Sequence, residues 1–272
     1  MPRVLLSHSS GSSAEIYLNG AHVTSWIPAG GHEMLFLSEA ALFDSGKPIR
    51  GGIPVIFPQF ADSGPLPKHG WLRTSAWTID DSRSADDDSS VTLTSSDTGQ
   101  TRAIWPYEYC AELQVTLDEA TLRLELTIQN TGSEAFEFTS ALHTYLSAGD
   151  VTYAELIGLE GVSYVDRTAA GALRVDRERL LRITAETDRI YLGAPSPLRF
   201  MDYSRDTTLE IAATGFPHVV VWNPWERIAR TLADMNDDEY IRMICIEAAL
   251  AGKALDLSPG ASWAGSQRLT VL

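Results

Sequence analysis

Ile49-Arg50-Gly51-Gly52-Ile53-Pro54-Val55-Ile56-Phe57-Pro58-Gln59-Phe60, followed shortly by Lys68-His69-Gly70-Trp71-Leu72-Arg73, concentrates cations and an imidazole between turn formers. Gly51 and Gly52 allow backbone to approach a ligand or adopt positive φ. Pro54, Pro58, Pro65 and Pro67 stiffen the intervening loop. A stiff loop carrying Arg50, Lys68, His69, Trp71 and Arg73 is suited to grip a polar ring bearing an anionic group. Two further residues offer proton chemistry. In Phe136-Glu137-Phe138-Thr139-Ser140-Ala141-Leu142-His143-Thr144-Tyr145-Leu146, strand periodicity puts Phe136, Phe138, Leu142 and Leu146 on one apolar face and turns His143 to the other. In Ile244-Cys245-Ile246-Glu247-Ala248 the same alternation turns Glu247 away from Ile244 and Ile246. A carboxylate in so apolar a strand is costly to bury unless it is hydrogen-bonded or functional.

Neutral histidine and ionised glutamate are suitable acid–base types near neutral pH. His69, His143 and Glu247 would also make a two-histidine, one-carboxylate metal set. The chain has no His-x-His or His-x-x-x-His spacing, so acid–base work is the favoured reading and no metal is expected. Asp188, in Thr187-Asp188-Arg189-Ile190-Tyr191, is either a ligand-contacting acid or the partner of Arg189 in a strand-edge salt pair. Trp222-Asn223-Pro224-Trp225 reads as a strand end entering a helix, with Asn223 as N-cap, Pro224 at the first helical position and both tryptophans as scaffold. No phosphate-binding P-loop, dinucleotide fingerprint or nucleophile elbow is present.

The elements that must position these residues have a period of two. Leu113, Val115 and Leu117 alternate with polar residues, and Leu122, Leu124, Leu126 and Ile128 repeat the pattern after a turn, as in a hairpin with one buried face. Further strands are expected at 21–28, 34–38, 91–95, 136–146, 181–192, 208–213, 218–222, 243–250 and 267–272, with one good helical window at 225–235. No βαβ rhythm appears. The expectation is an all-β, mostly antiparallel sandwich in one domain spanning 1–272. The acidic stretch from Asp80 to Asp88 reads as a solvated hairpin loop.

Composition narrows the partners. The 272 residues carry 21 basic and 36 acidic side chains, a net charge of −15, which opposes nucleic acid and anionic membranes. An anionic substrate must be met by a local cluster, and Arg50, Lys68 and Arg73 form the densest one near glycines. The two cysteines, Cys110 and Cys245, are far apart and in no metal-like spacing, which suits a reducing cytosol. No signal-peptide-like N-terminus and no apolar run of membrane-spanning length is seen.

Arg50-Gly-Gly-Ile-Pro, His69-Gly-x-x-Arg73, Leu142-His-Thr-Tyr145, Asp188-Arg-Ile-Tyr191, Val221-Trp-Asn-Pro-Trp225 and Ile246-Glu-Ala248 occur in the order seen in hexose-6-phosphate mutarotases. The chain resembles these glucose-6-phosphate 1-epimerases of the aldose 1-epimerase superfamily from about residue 15 onward. The resemblance implies a galactose-mutarotase-like β-supersandwich, a cofactor-free isomerase and a monomeric protein acting on a small sugar phosphate. It implies that His143 and Glu247 are catalytic, that Arg50 and Arg73 bind substrate, that Asp188 contacts sugar hydroxyls and that His69 assists near the ring oxygen. Lys68 stands where this family often has Gln, Ala61 where Gly is common, Ala248 where Pro is frequent, and Trp71-Leu72 replaces the usual Phe-Ala. Rival readings are an epimerase for unphosphorylated aldoses and a non-catalytic sugar-phosphate sensor.

Overall fold

A computed structural model describes residues 1–84 and 89–272. Two large sheets face each other, joined by a three-stranded one near the N-terminus. In spatial order the first large sheet runs Ala172–Val175, Ser163–Asp166, Thr187–Leu192, His218–Asn223, Met243–Leu257, Phe136–Leu142, Val55–Ile56, with Tyr145–Ser147 also paired to the long strand. The second runs Leu180–Leu181, Ala154–Ile157, Leu198–Asp202, Thr207–Thr214, Ser262–Val271, Thr121–Asn130, Tyr109–Leu117, Ser89–Ser96, Thr78–Ser84. The named strand pairs are antiparallel, as the period-two patterning requires.

The core lies between the sheets. Leu113, Val115, Leu124, Leu126 and Leu269 of one sheet meet Leu142, Val221, Ile244 and Ile246 of the other in a single buried cluster. Each fully buried leucine or isoleucine contributes roughly 1.5–3 kcal/mol of transfer free energy. Because successive strand residues point to opposite faces, the residues between these core positions emerge on the far side of the first sheet. Val220, Trp222, Cys245, Glu247 and Tyr145 are those residues, and that side carries the cavity.

Several local expectations change. The 136–146 strand divides into Phe136–Leu142 and Tyr145–Ser147, because His143 and Thr144 leave the first ladder and the His143 N–H donates to Pro54 O (3.0 Å). Residues 181–192 form two strands, Leu180–Leu181 and Thr187–Leu192, which belong to different sheets. Segment 34–38 makes only isolated bridges, Leu35 to Leu146 and Leu37 to Gly51. The helix at 225–235 ends early, covering Trp225–Ala229. Beyond it the chain continues in i→i+3 turns, with Leu232 N–H donating to Ala229 O and Met235 N–H to Leu232 O, and Asp234 comes onto the Arg50 guanidinium. Asn223 does accept the Trp225 N–H (2.8 Å), although Pro224 occupies the cap position itself. A helix missed from the sequence, Gly99–Ile104, is started by a Thr98–Thr101 capping box. Asp80 and Asp81 sit in strand Thr78–Ser84 rather than in a loop; Asp86, Asp87 and Asp88 lie outside the described residues.

Candidate active site

A cavity of about 370 Å³ opens over the middle of the first sheet. Arg50, Lys68, His69, Arg73, His143, Asp188 and Glu247 all line it, so of the residues singled out from the sequence for chemistry or ligand contact the structure brings together all but Trp71. The sheet register explains how. Asp188, Trp222, Cys245 and Tyr145 stand abreast on four neighbouring strands, and Ile190, Val220 and Glu247 form the next row. Leu142 pairs with Ala248 on one side and Tyr145 with Cys245 on the other, so His143 falls opposite Glu247 and completes that row. Asp188, Trp222 and Tyr145 of the first row and Val220, Glu247 and His143 of the second form the cavity floor, with Cys245 and Ile190 buried beneath it.

His143 Nδ1 lies 3.4 Å from Glu247 Oε1. The imidazole stacks on the Tyr145 ring, with centroids 4.8 Å apart and planes 8° apart, and Trp222 meets it edge-on. Glu247 is 1% exposed and Oε2 has no hydrogen-bond partner, nor does His143 Nδ1 in hydrogen-bond geometry. Burial, reinforced by Asp188, pushes the Glu247 carboxyl well above the usual carboxylate range. Burial, followed by His69, Arg73 and Arg50, pushes the His143 imidazole well below its usual value. Each shift favours the uncharged form of its group, and a carboxyl with a neutral imidazole carries the same single proton as a carboxylate with an imidazolium.

His69 arrives from the glycine-rich loop in the left-handed region, at φ 66°. Its N–H donates to Ala61 O (2.8 Å), and the Ala61 N–H donates back to His69 Nδ1 (3.3 Å), which places the ring proton on Nε2. Ala61 itself has φ 51°, a conformation that explains why glycine suits this position. Burial and the surrounding cations press the His69 pKa down to about 3, so it remains a neutral donor. At Gly70, an added Cβ would lie 2.0 Å from Phe57 O; at Gly51, 2.3 Å from Phe36 O. Glycine is needed at both because backbone is packed where a side chain would project. His22, buried below, donates from Nε2 to Gly51 O (2.7 Å) and so braces the loop that carries Arg50.

The cations divide into two kinds. Arg50 donates to Asp234 (3.1 Å from both Nε and Nη2) and to Tyr145 Oη (3.0 Å). Arg167 pairs with Asp188 (3.3 Å) and Asp62 (2.9 Å). Arg73 donates to Lys68 O (2.9 Å), its buried Nε has no partner, and among the described residues no carboxylate pairs with either Arg73 or Lys68. The sequence-based alternative for Asp188 was wrong about its partner: Arg189 goes to Asp176 and Tyr191. Neither of the aspartates near the loop arginines in sequence pairs with them: Asp44 pairs with Lys47 and Asp62 with Arg167.

Trp71 does not reach the cavity; it is buried in the core with Nε1 donating to Tyr109 Oη (2.9 Å). Trp222 lines the cavity, contrary to its reading as scaffold, while Trp225 packs on Tyr240. Tyr145 shares the His143 face by the same alternation, and Cys245 could have been found by carrying the alternation of Glu247 two residues along its strand. Arg167, in the turn Arg167–Ala169, carries no local signal in the sequence; it reaches the cavity because strand Ser163–Asp166 pairs with the strand bearing Asp188.

Comparison with known proteins agrees with the fold. The family model described as aldose 1-epimerase matches residues 2–270. A protein of Cenchrus ciliaris named "Putative glucose-6-phosphate 1-epimerase" is 35% identical, covering 100% of this chain and 85% of its own. A protein of Escherichia coli K12 with the same name is 31% identical over 88% of this chain and 80% of its own. The crystal structure of a "putative mutarotase (YeaD)" from Salmonella typhimurium superimposes with a TM-score of 0.92 at 27% identity, covering 99% of this chain and 90% of that one. With the sandwich, the two-row floor and a match along nearly its whole length, the chain belongs to the aldose 1-epimerase family.

Proposed function

We propose that this protein is a hexose-6-phosphate mutarotase, interconverting the α and β anomers of a sugar such as glucose 6-phosphate. The observation that carries this reading is a cavity with an acid–base pair on its floor and two cations, Arg73 and Lys68, that among the described residues form no ion pair with a carboxylate. A sugar phosphate supplies the two matching features, an anomeric centre and an anion. The relatives' names point to the same substrate class.

Mutarotation removes a proton from the C1 hydroxyl and delivers one to the ring oxygen. Glu247 as carboxylate takes the first; His143 as imidazolium gives the second; the C1–ring oxygen bond breaks and the aldehyde forms. The pair then stands as carboxyl and imidazole, the other form of the single shared proton. Rotation about C1–C2 and reclosure, with the roles exchanged, gives the opposite anomer and restores the starting state. His69 Nε2–H donates near the ring oxygen, Asp188 accepts from sugar hydroxyls, and Arg50, Arg73 and Lys68 hold the phosphorylated end. We assign this work to a single domain, acting as a monomer without cofactor. Among the described residues no helix is long and apolar enough to cross a membrane.

The test is the anomerisation rate of α-glucose 6-phosphate beside those of free glucose and galactose, with and without protein. Acceleration of the phosphorylated sugar well above the free sugars is expected. Preferential acceleration of the free sugars would make this an epimerase of unphosphorylated aldoses, and no acceleration of any would leave a binding protein.

A further inference from the structure

The sheet face beneath the cavity holds a third, fully buried group that the proposed reaction does not use. Cys245 precedes Glu247 by two residues on the same strand face, so its thiol emerges beside the carboxylate. Donor atoms of His143, Cys245 and Glu247 all lie within 4.8 Å of one another, and all three residues are buried. One nitrogen, one sulfur and one carboxylate oxygen form a donor set that suits a thiophilic divalent ion. Two of these side chains hold buried atoms without a hydrogen-bond partner, Nδ1 of His143 and Oε2 of Glu247. Unmet polar atoms of this kind are costly, and an ion bonded to them removes that cost.

We infer that His143, Cys245 and Glu247 form a binding site for Zn²⁺ or a similar thiophilic divalent ion, and that occupation of this site switches the acid–base pair off. Zinc bonds to nitrogen, oxygen and sulfur of about 2.0–2.3 Å need donors nearer together than 4.8 Å, a closure of roughly 1 Å by side-chain rotation. Binding transfers to solvent the thiol proton and the one proton that carboxyl and imidazole carry between them. The ion with thiolate, carboxylate and neutral imidazole is then uncharged overall, which suits a buried position. With the imidazole nitrogen and the carboxylate both bonded to the ion, neither can exchange a proton with a sugar. This inhibition rests on the mutarotase reading; the ion site itself does not.

Cobalt(II) reports thiolate coordination through a charge-transfer absorption. Protein stripped of metal and titrated with Co²⁺ is expected to develop that absorption at one equivalent. Cys245→Ser should abolish it, and Cys110→Ser, on a strand of the opposite sheet, should retain it. No absorption in the wild type, or absorption that survives Cys245→Ser and vanishes in Cys110→Ser, overturns the site. Glu247→Gln supplies a second variant should Cys245→Ser fail to fold: Zn²⁺ should raise the wild-type Tm and leave that variant's unchanged, and equal shifts overturn the proposal. In the activity assay Zn²⁺ should lower wild-type turnover at least about tenfold, reversibly with chelator, and Cys245→Ser should lose much less. If no preparation anomerises any sugar, the mutarotase reading fails while the Co²⁺ titration still decides the site. If the enzyme is active, shows no Co²⁺ absorption and is indifferent to zinc, the site fails alone.

Discussion

His143 and Glu247 face each other across neighbouring strands, with Nδ1 and Oε1 3.4 Å apart, because the pairings Leu142–Ala248 and Tyr145–Cys245 flank them in one continuous register. A cross-strand pair of this kind is held by backbone hydrogen bonds on both sides, so its geometry does not depend on a flexible loop. Replacement of either partner should therefore damage chemistry more than structure. Glu247→Gln and His143→Ala should each lower kcat at least about a hundredfold, since each removes one proton-transfer group. Both variants should give wild-type circular dichroism. Near-normal turnover in either would remove that residue from the mechanism.

Chelation separates the acid–base reading from a metal-dependent one. Ring opening as derived needs no Lewis acid, so exhaustive removal of divalent ions should leave turnover unchanged or raise it where zinc had occupied the floor. Loss of activity on chelation, restored by one added metal, would mean that His143 and Glu247 act as ligands in the working enzyme.

His22 offers a test of how the Arg50 loop is held. Burial, partly offset by the bond to Gly51 O, lowers its pKa from 6.5 to about 4. The unfolded chain therefore binds a proton between these two values that the folded chain refuses. Stability from this source is fully present above about pH 6.5 and is lost as pH falls toward 4, to a maximum of about 3 kcal/mol. His22→Gln keeps a donor for Gly51 O and removes the titration. Urea unfolding from pH 7 to pH 4 should show a shallower decline for the variant. Parallel declines would show that His22 is protonated in the folded state without penalty.

The sheet-borne part of the site was legible in the sequence because alternation is a strong signal when one face is core. Phe136, Phe138 and Leu142 turned His143 away from them, and Ile244 and Ile246 did the same for Glu247. The loop-borne part was legible as chemistry but not as packing. Trp71 looked like a ligand-facing aromatic beside His69, yet its ring belongs to the core, since the turn at Gly70 reverses the chain between them. Pairings across the cavity were not legible. Arg167 with Asp188, and Asp234 with Arg50, join segments that no local pattern connects. The short helix Trp225–Ala229 shows the same limit, because the apolar spacing of Ile228, Leu232 and Met235 continues past the helix end into cavity lining and a small apolar cluster.

The phosphate reading rests on the unequal state of the cations. Net charge of −15 opposes an anionic sugar at long range, so binding must come from charge-assisted hydrogen bonds made at contact, each worth roughly 1.5–3 kcal/mol. Arg50 already answers Asp234, and Arg167 answers Asp188 and Asp62. Arg73 has a buried, unpartnered Nε, and among the described residues no carboxylate pairs with it or with Lys68 beside it, which makes these two the groups with most to gain from an anion. Arg73→Ala should therefore weaken kcat/KM for glucose 6-phosphate by about ten- to a hundredfold while leaving any turnover of free glucose nearly intact. Lys68→Ala should act in the same direction and less strongly, because the lysine is exposed and its charge is better screened. Inorganic phosphate or sulfate should compete with the phosphorylated sugar at constant ionic strength. Arg50→Ala is expected to cost stability as well as binding, since it strands Asp234 and frees Tyr145 Oη. Equal losses for both sugars in Arg73→Ala, together with indifference to sulfate, would place the arginine on sugar hydroxyls and make the unphosphorylated aldose the substrate.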